Sequence, residues 1–243
     1  MANRSMDETN RSGLVVGIPA FNEEKTIAQV ITQARSFVDE VIVCDDGSDD
    51  LTSRKACDAG AKVIRHQRNI GYGAALSTIF MQAATKEFAA LVIMDADGQH
   101  DANDIPRLIE PIRGGAAEIV IGSRLVERPR CSIGGCRGAG IKVFTKIINA
   151  VTGLELTDVQ SGFRSYSCRA VRSVLPYETG MGASLEILLR AVHGGLPITE
   201  IPITIRHRDG LRNYQYSSFD HALDLTFALA RTMVHQSRVQ SLL

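Results

Sequence analysis

The stretch A-A-L-V-I-M-D-A-D-G-Q-H at residues 89–100 passes directly from an unbroken apolar run into an acidic turn. A short run of branched apolar side chains with no polar alternation is the pattern of a strand covered on both faces. The same transition recurs along the chain. Leu14–Ile18 is stopped by Pro19, Val41–Cys44 by Asp45-Asp46-Gly47-Ser48, and Glu118–Ile121 runs into Gly122-Ser123-Arg124, while Lys62–Ile64 forms a shorter run. Helical spacing fills the gaps at 26–37 (Ile27, Val30, Ile31, Ala34), 50–59, 71–84 and 104–113. Alternation of this kind from 14 to 122 predicts an α/β fold, a doubly wound, Rossmann-like mixed sheet with helices on both faces.

Beyond Gly122 the alternation breaks. The spacing predicts a helix at 139–151, a strand-like Ser161–Ser165, helices near 168–175 and 183–193, a strand Ile198–Ile205 and a last helix at about 218–236. The expected organisation is a frayed polar N-terminus (1–12), a catalytic domain (13–212) and a C-terminal helical segment (213–243).

The totals narrow the function classes. The chain has 243 residues, and its 27 Lys+Arg balance 27 Asp+Glu, so it lacks the overall basic field of a nucleic-acid binder. Its 5 cysteines (44, 57, 131, 136 and 168) show no C-x-x-C spacing, and reduced thiols are expected. Nothing at the N-terminus reads as a secretory signal, and no stretch has the length of a membrane span. The expected location is the cytoplasm, peripheral on the cytoplasmic face of a membrane.

In an open parallel sheet, ligands bind beyond the C-terminal ends of the strands. Those ends carry P-A-F-N-E (19–23), D-D-G-S-D (45–49), D-A-D-G-Q-H (95–100) and G-S-R (122–124). Asp95 and Asp97, alternate residues just past a strand, bring two carboxylates within reach of one hard cation, and Gln99 adds a neutral oxygen. Such ligation suits Mg²⁺ or Mn²⁺, which completes its shell with substrate phosphates; the plain alternative is a solvated turn. Gly98 comes too early for an EF-hand, Gln99 stands where a haloacid-dehalogenase phosphatase has Thr, and there is neither a P-loop nor a G-x-G-x-x-G turn after the first strand. Gly71-x-Gly73 opens a helix whose N-terminus could approach a phosphate or simply turn the chain. His100 and His207 read as hydrogen-bonded loop residues.

This ordered set resembles the GT-A glycosyltransferases of family 2. With D-V-Q-S-G-F-R (158–164), Leu185-Glu186, and Glu200-Ile-Pro-Ile203 followed by Arg206, it looks like the dolichyl/polyprenyl-phosphate hexosyltransferase branch, over residues 14–212. The resemblance implies that Pro19, Phe21 and Glu23 line a nucleotide pocket, and that Asp45 or Asp46 bonds the base. It implies that Asp95, Asp97 and Gln99, with Ala96 between, hold metal and donor diphosphate. Arg124 and Arg137 would meet an acceptor phosphate. Arg206 and Arg212, the latter in place of the family's frequent Lys, would steady the pyrophosphate. Asp158, Ser161 and Glu186 are candidates for sugar recognition or backbone support. D-V-Q-S-G-F-R with G-M-G-A-S-L-E is closer to relatives using UDP-glucose or UDP-GlcNAc than to GDP-mannose synthases, which remain the alternative.

The chemistry of a phosphate acceptor agrees. A phosphate monoester, with its second pKa near ~6, is anionic at neutral pH and can attack the anomeric carbon without a protein base, once guanidinium groups align it. A family 2 transferase acting on a sugar hydroxyl would need a base, for which Asp158 or Glu186 is the candidate. A nucleotide-sugar-binding subunit without turnover is the reading from another class. Helix 139–151 sets Lys142 and Lys146 beside Ile141, Phe144, Ile147 and Ile148, which suits a membrane surface or a helix packed on the sheet. Segment 218–236 aligns Phe219, Leu223, Phe227, Ala230 and Val234, a face for the core, a second copy or a bilayer.

Overall fold

The computed structural model describes residues 13–126 and 136–206, with the backbone alone at 136–142 and 144. β1 (Leu14–Ala20), β2 (Glu40–Asp45), β3 (Lys62–Arg65), β4 (Ala90–Ile93), β5 (Ile119–Ser123), β6 (Arg164–Tyr166) and β7 (Ile198–Pro202) form one sheet ordered β3-β2-β1-β4-β6-β5-β7. β6 runs antiparallel between β4 and β5, and the other neighbours are parallel, so the sheet is mixed as expected.

Alternate residues of the strands feed two cores. Val16 and Ile18 of β1, with Val92 and Val120, face α1 (Ile27–Ala34), α2 (Thr52–Asp58) and α4 (Ile105–Arg113). Val15, Leu91, Ile93 and Ile119 face α3 (Tyr72–Ala83), α6 (Cys168–Ser173) and α7 (Ala183–His193). Every one of these side chains is nearly inaccessible. Removing that apolar surface from water is the main stabilising term, about 25 cal/mol per Å².

A third cluster holds α5 (Cys136–Thr152) against Ile121, Leu156 and α7 through Ile148. The helix begins earlier than its apolar spacing predicts. Its contact line runs through Thr145 and Ile148, both buried, while Val143, Ile147 and Val151 are 59%, 45% and 48% exposed along the outer side. Among the described residues no helix is long and apolar enough to cross a membrane.

Several boundaries differ by a few residues: β1 continues through Pro19 to Ala20 and the first helix stops at Ala34, and two further differences have local reasons. The strand predicted at 161–165 begins at Arg164, because Ser161–Phe163 form a loop against the acidic turn after β4. β7 ends at Pro202, which has no amide hydrogen to extend a ladder. The chain then crosses the sheet end: the Ile203 amide donates to the Ser123 carbonyl, and Ile205 bridges to His100. Segments 1–12 and 207–243, with Arg212, His207 and the C-terminal helix, lie outside the described residues, as does Cys131.

Candidate active site

The rims after β1 and β2 template one another. Asn22, at a left-handed φ of 57°, donates its amide to Ser48 Oγ and accepts from the Asp49 amide. The Glu23 amide donates to Thr52 Oγ1, the Glu24 amide to Asp50 Oδ2, and the Leu51 amide to Glu24 Oε2. Each short polar side chain satisfies a backbone group of the opposite loop, so the turn signals of one strand end stiffen the other.

Asp45 and Asp46 turn inward. Asp45, fully buried, accepts from the Ser48 amide and hydroxyl and from Ser53 Oγ, with Arg65 at 3.8 Å. Asp46 accepts from His66 Nδ1 at 2.7 Å, the Ile70 amide at 3.0 Å and the Gly71 amide at 2.7 Å. Both carboxylates thus already accept several hydrogen bonds from the protein itself.

Pro19 is buried in β1, and Phe21 and Glu23 are half-buried on its rim. Burial raises the Glu23 carboxyl above its ordinary value; the Thr26 hydroxyl offsets part of this, and the fields of Asp97, Asp50 and Asp95 add to it. Four carboxylates thus converge at one end of the sheet.

Asp95 follows β4 with its side chain 35% exposed. Burial pushes its carboxyl up to about 6, against the opposing fields of Arg124 and Arg164. Two hard oxygen donors at a strand end are what a divalent cation with a bound diphosphate requires. Asp97 accepts the Gln99 amide at 2.9 Å, Ala96 is buried between the two acids, and the Gln99 side chain is exposed at the mouth. Among the described residues no three acidic, His or Cys side chains form a ready cage. The residues fit an ion shared with a substrate.

His100 braces this turn. Its Nδ1 accepts the Asp95 amide at 3.3 Å, and its ring stacks on Phe163 with centroids 4.8 Å apart. Burial pushes its pKa down to about 4, so it is neutral at pH 7.

Arg124 pairs with Asp158 through two parallel bonds, Nε to Oδ2 at 2.6 Å and Nη2 to Oδ1 at 2.8 Å, and its amide also donates to Oδ2. Asp158 is fully buried and Arg124 28% exposed. Arg164, also buried, donates to the carbonyls of Ser161, Ser184 and Val159, which makes it the organiser of the 159–163 loop. Ser161 Oγ is buried without a partner among the described residues. Arg137 lies in the first turn of α5, its side chain outside the description. Arg206 is zipped to the acidic turn, its amide on the Gln99 carbonyl and its Nη2 on Asp101 at 2.8 Å.

Glu186 is spent on structure. Its buried carboxylate accepts the Tyr177 and Glu178 amides at 2.9 and 2.8 Å and Arg190 Nε at 2.8 Å, and Arg190 lies over the Tyr177 ring. The loop so held places the Thr179 carbonyl on the Ala74 amide, and any side chain at Gly71 or Gly73 would collide with the backbone of Glu178–Gly180. The N-terminus of α3 is therefore plugged by protein, and Gly71-x-Gly73 serves this close approach.

Reasoning from sequence missed His66, Asp50 and the roles of Arg164 and Glu200. The last two sit inside quoted motifs, whereas no spacing marks His66.

Residues 15–175 match the model of the family described as glycosyl transferase family 2. The UDP-N-acetylglucosamine–dolichyl-phosphate N-acetylglucosaminyltransferase of Methanococcus voltae is 32% identical over 212 residues, 76% of this chain and 82% of that one. The undecaprenyl-phosphate mannosyltransferase of Micrococcus luteus is 30% identical over 210 residues, 79% of this chain and 83% of that one. A crystal structure of glucosyl-3-phosphoglycerate synthase from Mycobacterium tuberculosis, with Mn²⁺, UDP and glucosyl-3-phosphoglycerate, covers 91% of this chain and 80% of its own at 22% identity, with a TM-score of 0.70. That likeness is one of fold, and the fold is the GT-A architecture that the resemblance to family 2 implied. On its matched residues and its acidic turn after β4, the chain belongs to glycosyl transferase family 2.

Proposed function

We propose that this glycosyltransferase moves one hexose from a nucleoside diphosphate sugar to dolichyl or polyprenyl phosphate, with inversion at the anomeric carbon. The carrying observation is that one loop borders both groups: Gly162 lies against the Asp95 oxygens, and Asp158, four residues earlier, pairs with Arg124. The Arg124 field draws the Asp95 carboxyl down, and the Asp95 field contributes to raising Arg124.

Asp95 and Asp97, with Gln99 at the mouth, would hold Mg²⁺ or Mn²⁺ together with the donor diphosphate. Bound there, the ion supplies Lewis-acid neutralisation of the departing nucleoside diphosphate. Glu23 lines the same acidic end, and Arg206, anchored on Asp101, borders it. Arg124 orients the acceptor phosphate, with Arg137 as its partner from α5. Relatives whose names carry dolichyl and undecaprenyl phosphate support this acceptor. The exposed Val143, Ile147 and Val151 of α5, beside exposed Lys146, support a helix that meets the membrane surface where such a lipid resides.

The hydroxyl-acceptor reading loses its base. Asp158 is committed to Arg124, and Glu186 to two amides and Arg190. A phosphate acceptor needs none. The sugar is the open choice: relatives of similar identity carry N-acetylglucosamine and mannose in their names, and we favour UDP-glucose or UDP-GlcNAc over GDP-mannose on the 158–164 and 180–186 motifs. Labelled UDP- and GDP-sugars incubated with dolichyl phosphate and Mn²⁺ test the proposal. Label should partition into the organic phase with one donor and fall to background with EDTA. Transfer only to a glycan hydroxyl, or nucleotide binding with no transfer, overturns it.

A further inference from the structure

Glu200 lies in the middle of β7, paired in register with Ile121 of β5. Its carboxylate accepts three hydrogen bonds from a single turn. Thr157 contributes its amide at 2.7 Å and its hydroxyl at 2.9 Å to Oε2, and the Asp158 amide reaches Oε1 at 2.9 Å. No cation is needed to satisfy this acid, because two amides and a hydroxyl converge on it. Thr157 Oγ1 is also 2.6 Å from Ser123 Oγ, which accepts the Leu125 amide at 3.1 Å.

The turn so held carries Asp158. Arg124 and Asp158 are 34 positions apart with α5 between them, so chain connectivity alone does little to fix one against the other. The side chain of an arginine is long and has many rotamers, whereas a bidentate pair with a rigid carboxylate admits one orientation. Rigidity of that carboxylate comes from β7, through Glu200.

The geometry points to Glu200 as a positioning residue for acceptor use: it clamps the 157–158 turn to the sheet, so that Asp158 presents the Arg124 guanidinium in one orientation to the incoming phosphate. This rests on the reading of Arg124 given above. It assigns Glu200 no contact with donor or acceptor; Glu200 acts through two residues in series.

Glu200→Gln keeps the volume but turns a donor toward one of the donating amides. With dolichyl phosphate in detergent micelles and the nucleotide sugar that is turned over, this variant should raise the acceptor KM about tenfold, the size of effect a small misplacement produces. The donor KM and the Mn²⁺-dependent binding of the nucleoside diphosphate should stay at parental values. In an Arg124→Lys background, where the fork is already lost, Glu200→Gln should add nothing further. Equal rises in both KM values, an unchanged acceptor KM, or full additivity with Arg124→Lys overturns the inference. Should Glu200→Gln fail to fold, Thr157→Val removes one of the three donors and is judged by the same comparisons. If Arg124→Lys itself leaves the acceptor KM at the parental value, the assignment of Arg124 fails; if only the Glu200 and Thr157 variants are silent, the clamp alone fails.

Discussion

The carboxylate of Asp95 turns its two oxygens toward Gly162: a methyl group added at 162 would stand 2.8 Å from both Oδ1 and Oδ2. The loop that makes this contact is held by Arg164 on three carbonyls and by Phe163 stacked on His100. Only a residue without a side chain lets the acid occupy that position.

Gly162→Ala should therefore displace Asp95. We expect Mn²⁺-dependent binding of a nucleoside diphosphate to weaken by about tenfold or more, the scale on which supporting contacts act on metal sites. The urea midpoint should move little, since the added methyl meets only the end of the Asp95 side chain. Titration calorimetry with Mn²⁺ and UDP or GDP measures it, and unaltered affinity contradicts the role given to Asp95.

Asp97→Ala removes the second acid without touching a core. Sugar transfer should fall to background while circular dichroism and the thermal midpoint stay near those of the parent. Normal turnover in this variant removes the metal assignment.

Arg124→Ala and Arg124→Lys should behave differently. The alanine variant strands Asp158, which is fully buried, and unpairing a buried acid costs about 3 kcal/mol, visible in urea unfolding. The lysine variant keeps a charge but not the planar fork, so it should retain most of the stability and lose acceptor use. A lysine variant with parental acceptor kinetics contradicts the bidentate argument.

Glu186→Ala should behave as a stability variant. Its buried carboxylate holds two amides and Arg190, and hydrogen bonds to a charged group are worth about 2 kcal/mol. A drop of that order in unfolding free energy is expected. A fall in turnover with no loss of stability would instead point to sugar contact.

The thiols separate by environment. Burial, aided by the field of Asp46, pushes Cys44 up to about 12, whereas Cys57 is exposed. Iodoacetamide at pH 8 should label Cys57 in the folded protein and Cys44 only after denaturation, because the thiolate is the reactive form. Mass spectrometry of the tryptic peptides decides it.

Much of the architecture was legible because it follows from periodicity. Val16 and Val15 go to opposite cores for the reason their neighbours alternate along β1. Strand ends were legible to within a residue or two, because Asp45 and Asp95 interrupt the apolar runs of β2 and β4; Pro19 did not end β1, which stays paired with β2 to Ala20. Partnerships were not: nothing in the sequence pairs Asp46, Asp158 or Glu186 with His66, Arg124 and Arg190, which the fold brings to them.

By itself, then, the order of residues determined the alternating sheet, the acidic turn after β4 and the family to which the chain belongs, since each depends on local pattern. Tertiary structure decided which charged groups stay partly exposed at the strand ends and which are buried in pairs. That choice turns on ion pairs and amide contacts between positions as distant as 124 and 158 or 158 and 200, which no local spacing encodes.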